Sequence, residues 1–183
     1  GGTEIMAVFA KDDAVSLYHN GSQKLATTST GAELQNTASG SETDILQIRN
    51  NATATSTAGT IKFVNSTSSG SNSGSTELVG IRTGTNTGDF VIRTSNSSAS
   101  MQEAMRISSS GNLLVGKTSA SGSTVGAELR AAGTVIATVD GDYPLYLNRK
   151  TSEGDIAQFR KDGTLVGSVG IESSGFYVDG EGS

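Results

Sequence analysis

Apolar residues in this chain recur at every second position over short runs. No long window places them at the three- and four-residue spacing of an amphipathic helix. A period of two puts alternate side chains on opposite faces of a pleated strand, so the chain is predicted to be all-β with little or no helix. Turn chemistry divides the runs. Ala14-Val15-Ser16-Leu17-Tyr18-His19 leads into Asn20-Gly21 and out through Lys24-Leu25-Ala26, and Asn-Gly supplies the two positive-φ positions of a type I′ hairpin turn. Met105-Arg106-Ile107, then Ser109-Ser110-Gly111-Asn112, then Leu113-Leu114-Val115-Gly116 predict a second hairpin. Residues 157–160 and 165–169 around Asp162-Gly163 predict a third.

A longer pattern recurs. Leu46, Ile48 and Arg49 precede Gly59, Ile61 and Phe63. Val79, Ile81 and Arg82 precede Gly88, Phe90 and Ile92. Leu145, Leu147 and Arg149 precede Gly154, Ile156 and Phe159. Each copy reads as an alternating strand carrying an Arg, a polar loop, a Gly and a second apolar strand. Leu145, Leu147, Gly154 and Ile156 lie 66 residues after Val79, Ile81, Gly88 and Phe90, and the first arms of copies one and two are offset by 33. In the third copy the alternation breaks at Gln158, which predicts a bulge there.

The apolar content limits what these strands can bury. Leu, Ile, Val and Phe account for 38 of 183 residues, against 83 for Ser, Thr, Gly and Asn, which is the border of compositions that stay disordered. A net charge of −5 and a single Pro argue against disorder. A lone enzyme of this length needs more apolar surface to offset chain entropy. The expectation is a chain that shares a core with copies of itself, at Val15, Leu17, Ile48, Ile61, Phe63, Ile81, Phe90, Ile92, Ile107, Leu147, Ile156 and Phe159. Four stretches are expected: an N-terminal hairpin module at 1–40, strand-pair repeats with polar loops at 41–100, a second hairpin module at 101–140 and a C-terminal hairpin module at 141–183. The Ser/Gly/Asn/Thr tracts 66–76 and 94–100 read either as linkers or as long surface loops.

Chemistry-bearing residues are sparse. Without Cys there is no disulfide framework, thiolate metal site or cysteine nucleophile. The single His19 sits beside a turn and reads as structural or solvent-exposed rather than as a catalytic base. The acidic pairs Asp12-Asp13, Asp140/Asp142 and Glu153/Asp155 could in principle do glycosidase work, yet Asp beside Gly is more simply a turn former. Asp140-Gly141-Asp142 lacks the further oxygen ligands of a calcium loop. Gly163, Gly167 and Gly170 imitate part of a nucleotide-binding glycine pattern, but a strand follows where that motif needs a helix. Triplets at Asn20, Asn51, Asn65 and Asn96 match the glycosylation pattern at the frequency so Ser/Thr-rich a chain produces by chance. Tyr18, Tyr143, Tyr146 and Tyr177 could stack on sugars, and packing at strand ends or subunit contacts is the simpler reading. No catalytic, cofactor or metal residue is assigned. Dispersed Lys and Arg and a pI near 4.8 argue against nucleic acid, and the apolar run from Ile5 to Ala10 is too short to span a membrane.

Three stretches together carry a family resemblance. Ile5-Met6-Ala7-Val8-Phe9, with Asp13 through Asn20 and Lys24 through Gly31, resembles a module recurrent in tail fibres of marine bacteriophages, including cyanophages. Ala104-Met105-Arg106-Ile107 with Ser109 through Gly116 looks like a second module of those proteins. Leu145-Tyr146-Leu147-Asn148-Arg149-Lys150, Gly154-Asp155-Ile156, Phe159 through Gly163 and Val166 through Gly170 resemble the segment preceding their C-terminal intramolecular chaperone. The chain departs from the pattern at Lys11-Asp12-Asp13-Ala14, where relatives tend to have Asp-Gly, and no chaperone is recognisable before Ser183, so a cleaved mature end or a piece of a longer fibre is expected. The resemblance implies an elongated, intertwined homotrimeric β-hairpin or β-prism fibre on the virion, extracellular in action. Other phage tail proteins and a bacterial surface glycan or lipopolysaccharide would be its partners, with no cofactor, no nucleic acid and no membrane insertion. Receptor contacts would fall on loops, with 66–76 and Phe176-Tyr177 as positional candidates. A tailspike depolymerase acting on host polysaccharide is the enzymatic alternative.

Overall fold

The computed structural model describes residues 4–10, 14–35, 46–51, 54–66, 72–96, 100–173 and 175–180, excluding the side chains of 65, 66, 72 and 73. Among them there are fourteen strands and no helix. The strands form three antiparallel sheets, each a meander in chain order. The first contains β1 (Ala7–Phe9), β2 (Val15–His19), β3 (Ser22–Thr28) and β4 (Gly31–Leu34). The second has seven strands: β5 (Ala58–Ser66), β6 (Asn72–Gly84), β7 (Thr87–Ser95), β8 (Met101–Ile107), β9 (Leu113–Val115), β10 (Gly126–Leu129) and β11 (Val135–Thr138). The third is β12 (Gly154–Lys161), β13 (Thr164–Glu172) and β14 (Gly175–Asp179). Among the described residues, strand contacts follow chain order within each sheet.

The turn chemistry operates as the residue types require. Asn20 and Gly21 take φ of 50° and 69°, and Asp162 and Gly163 take 50° and 80°, the left-handed pair of a type I′ hairpin. The hairpin around Ser109-Ser110-Gly111-Asn112 forms with Met105 opposite Val115 and Ile107 opposite Leu113. The described parts of the polar tracts belong to paired strands or to their ends. β6 already begins at Asn72, and Asn96 and Ser100 close the β7–β8 connection, Asn96 N donating to Ser100 O at 3.0 Å and Ser100 N to Asn96 Oδ1 at 3.1 Å. The seven-stranded sheet thus takes strands from both the 41–100 and the 101–140 stretches.

Two expectations need correction. Of the recurring strand pairs, only the middle copy pairs within the chain, as β6 with β7; the first arms at 46–49 and 145–149 are not strands. Alternation suits a residue to a pleated surface but supplies no hydrogen-bonding partner. Each of these arms instead sends one polar side chain to the outer edge of the strand that follows it: Asn50 Nδ2 donates to Ala58 O at 3.1 Å, and Arg149 NH1 to Asp155 O at 3.0 Å. The bulge in β12 falls at Ile156, where the register steps from Asp155 to Ala157, rather than at Gln158. The extra residue there keeps Asp155 and Gln158 close enough to share a 2.9 Å hydrogen bond.

Little is buried inside one chain. Val79, Val91 and Leu114 are the largest fully buried apolar residues among those described, and none of the twelve positions expected in a shared core is buried within the chain. The accessible surface is 13558 Å², whereas a compact monomer of 18.6 kDa exposes about 8,200 Å².

Candidate functional site

Register shows how the exposed apolar surface is organised. Across the seven-stranded sheet, Ile61, Leu78, Ile92, Met105, Val115, Ala127 and Ala137 stand opposite one another in a single row. Two residues away on every strand lies a parallel row of Gly59, Gly80, Phe90, Ile107, Leu113, Leu129 and Val135. A separation of two places both rows on one face, and neither contains a polar side chain. This face is open: Phe90 is 43% exposed, Ile107 45% and Leu129 46%.

The opposite face is polar in composition yet better closed. Its central row runs Thr60, Val79, Val91, Arg106, Leu114, Glu128 and Ile136, flanked by Lys62, Glu77, Arg93 and Glu103 in alternating charge. Glu77 lies 3.6 Å from Lys62 and 3.8 Å from Arg93. Arg106 forks onto both oxygens of Glu103 at 2.7 Å and also bonds Asp89, which accepts the Ser109 amide at 2.7 Å. Burial pushes the Asp89 carboxyl up, but the bonds from Arg106 and Ser109 outweigh it and hold the group below its ordinary value. Val79 and Val91 sit in the row beside these tied charged side chains and are fully buried, so this face closes over its own apolar centre. Leu and Ile side chains on the other face have no such cover.

A second polar cluster closes the sheet near β10. Glu128 accepts from Arg130 Nε at 2.8 Å and from the Ser121 amide at 3.0 Å, and lies 3.1 Å from Lys117 Nζ. The Lys117 and Glu128 side chains are 1% and 0% exposed. Burial raises the Glu128 pKa, while the hydrogen bonds from Arg130, Lys117 and Ser121 bring it below the ordinary carboxylate value. The connection after β9 is thereby folded onto the strand that follows.

The other sheets repeat the division. In the first, Ala7, Leu17, Leu25 and Leu34 form one apolar row, with Leu17 and Leu34 exposed. In the third, Ile171 with Phe176 and Val169 with Val178 share a face on which Phe176 is 75% exposed. Its other face carries Asp155, Gly170 and Tyr177 in one row, where the Tyr177 hydroxyl donates to Asp155 Oδ1 at 2.5 Å.

The residues weighed for chemistry are scattered, and several of the acids are engaged in local hydrogen bonds. His19 is exposed and pairs with Ser22 across the first turn. Glu153 Oε1 accepts the Ser173 amide at 2.8 Å, Asp155 is held by Tyr177 and Gln158, and Asp142 bonds the neighbouring Tyr143 amide at 2.7 Å. Asp12 and Asp13 lie outside the described residues. Tyr143 and Tyr146 are exposed, whereas Tyr177 is half-buried at its hydrogen bond. Of the expected shared-core positions, Ile61, Phe63, Phe90, Ile92 and Ile107 fall together on the open face; Ile81 falls on the charged face beside Asp89. Sequence reasoning missed the buried Lys117–Glu128 pair, whose members are eleven residues apart and meet only when the intervening connection folds back. Comparison with protein-family models, curated proteins and solved structures found no match.

Proposed function

We propose that this chain is a non-enzymatic structural segment of a phage tail fibre that mediates attachment to the bacterial surface, working as an intertwined homotrimer. The observation that carries the reading is the charge-free double row across seven strands, open to solvent in a single chain. A contiguous apolar face of this extent marks an interaction surface. Its occupant is best supplied by further copies of the chain, because the first and third sheets leave apolar faces open in the same way and the surface excess is of the size that obligate interfaces remove. The family resemblance supplies the biological setting, a virion-borne fibre that carries receptor-binding loops on a rigid β scaffold and contacts a surface glycan or lipopolysaccharide. Analytical ultracentrifugation tests the assembly: a mass of three chains with a high frictional ratio is expected, and a compact monomer overturns it. Binding of the purified protein to host cells, with no new reducing ends released from host polysaccharide, tests the attachment role against depolymerase activity.

A further inference from the structure

The recurring pattern pairs its two arms within the chain only once. In that copy the first arm is part of β6, the second part of β7, and Val79 stands opposite Val91 and Ile81 opposite Asp89. A tight turn at Asn86, with φ of 59°, joins them. Sixty-six residues on, Leu145 and Leu147 occupy the places of Val79 and Ile81, and β12 occupies that of β7. Here the hairpin is held open. Arg149 donates to Ser152 O at 2.7 Å, to Ser152 Oγ at 3.0 Å and to Asp155 O at 3.0 Å, so its guanidinium fills the place opposite Asp155 that Leu147 would take in a closed hairpin.

The consequence is an arm without a partner and an edge without a strand. Among the described residues, the main chain of 144–148 makes no hydrogen bond, while Leu145 is 71% and Tyr146 78% exposed. Among the described residues no strand pairs with the outer edge of β12, where Phe159 is 57% exposed. An extended segment with alternating apolar residues and an open sheet edge are the two halves of strand addition.

We propose that residues 143–148 of one copy add as a fourth, antiparallel strand to the outer edge of β12 in a neighbouring copy, with Leu145 beside Phe159 and Leu147 beside Ala157. This register lies one pleat beyond the intrachain one because Arg149 keeps the position at Asp155. It puts Leu145 and Leu147 on the face that already holds Val169, Val178 and Phe176, extending that face rather than interrupting it. The proposal rests on the self-assembly reading above and names the segment through which copies exchange.

The chain has no native cysteine, so introduced thiols report without background. Chains carrying Leu145→Cys and chains carrying Phe159→Cys are co-expressed, and the assembly is treated with a short bismaleimide. A cross-linked dimer is expected only in the mixed assembly, and hydrogen exchange of the unmodified protein is expected to show 145–148 amides slowed roughly a hundredfold or more in the assembled state. An oligomer whose mixed form does not cross-link, or whose 145–148 amides exchange at unstructured rates, overturns strand exchange but leaves self-assembly standing. A cross-link confined within one doubly substituted chain also overturns it. A monomer at every concentration overturns both.

Discussion

The Tyr177 hydroxyl reaches Asp155 across an intervening strand because the residue between them is Gly170. The three stand in one row of the third sheet, and a Cβ at Gly170 would lie 2.5 Å from the Tyr177 oxygen and 2.6 Å from Gly154 O. Backbone lies on one side and the ring on the other, so Gly170→Ala has no room. Displacement of the ring and a loss of about 1–3 kcal/mol in stability are expected. Denaturant unfolding of the variant against the parent measures it, and an unchanged midpoint refutes the crossing.

The same bond fixes a pH dependence. Hydrogen bonds from Tyr177, Gln158 and Ser168 draw the Asp155 carboxyl down to about 2, and the bond to Asp155 raises the Tyr177 hydroxyl above its usual value. For the depressed carboxylate, stabilisation is present above its ordinary pKa near 3.8 and is lost as pH falls towards 2. For the raised phenol, it is present below its ordinary pKa near 10.0 and is lost as pH rises through the higher folded value. Tyr177→Phe is expected to move the Asp155 titration back towards the ordinary carboxylate value, read by carbon NMR of the side chain.

At the second cluster, Glu128→Gln removes the charge opposite the buried Lys117 ammonium and weakens the acceptor of the Ser121 amide. A lowered melting temperature is expected, with hydrogen-exchange protection lost first across residues 117–128. Arg130, at 39% exposed, is more dispensable: Arg130→Gln is expected to cost no more than about 1 kcal/mol. Equal effects of the two substitutions contradict the burial assigned to Lys117.

If copies associate as proposed, the open face of the seven-stranded sheet separates folding from association. Ile107→Asp changes a side chain already 45% exposed in one chain, so the sheet is expected to keep its far-ultraviolet spectrum. In an assembly that buries this row, the carboxylate carries a desolvation cost and the oligomer is expected to dissociate at least tenfold more readily. Sedimentation across a dilution series checks it.

How far the sequence predicts this molecule depends on how local each feature is. Asn20-Gly21 and Asp162-Gly163 state their turns outright, because the dihedral angles belong to those residues alone. Leu145, Leu147 and Arg149 have the alternation of a strand and are not one, because a strand is a property of two edges and only one is written in the arm. The Tyr177–Asp155 bond lies further from view. It depends on two registers and on the bulge at Ile156, which together set which residue crosses the glycine. The open face was half legible: alternation supplied Phe90 and Ile107, but only the pairing of every strand with its chain neighbour aligned them into uninterrupted rows.

That neighbour-by-neighbour pairing also sets the order in which the molecule can form. Each strand finds its partner within a short reach of chain, so loop closure is cheap and hairpins can close one after another on the microsecond scale as the polypeptide leaves the ribosome. Nothing in the seven-stranded sheet waits for a distant residue of the same chain. In the self-assembly proposed above, the slow, concentration-dependent event would be the encounter between finished chains.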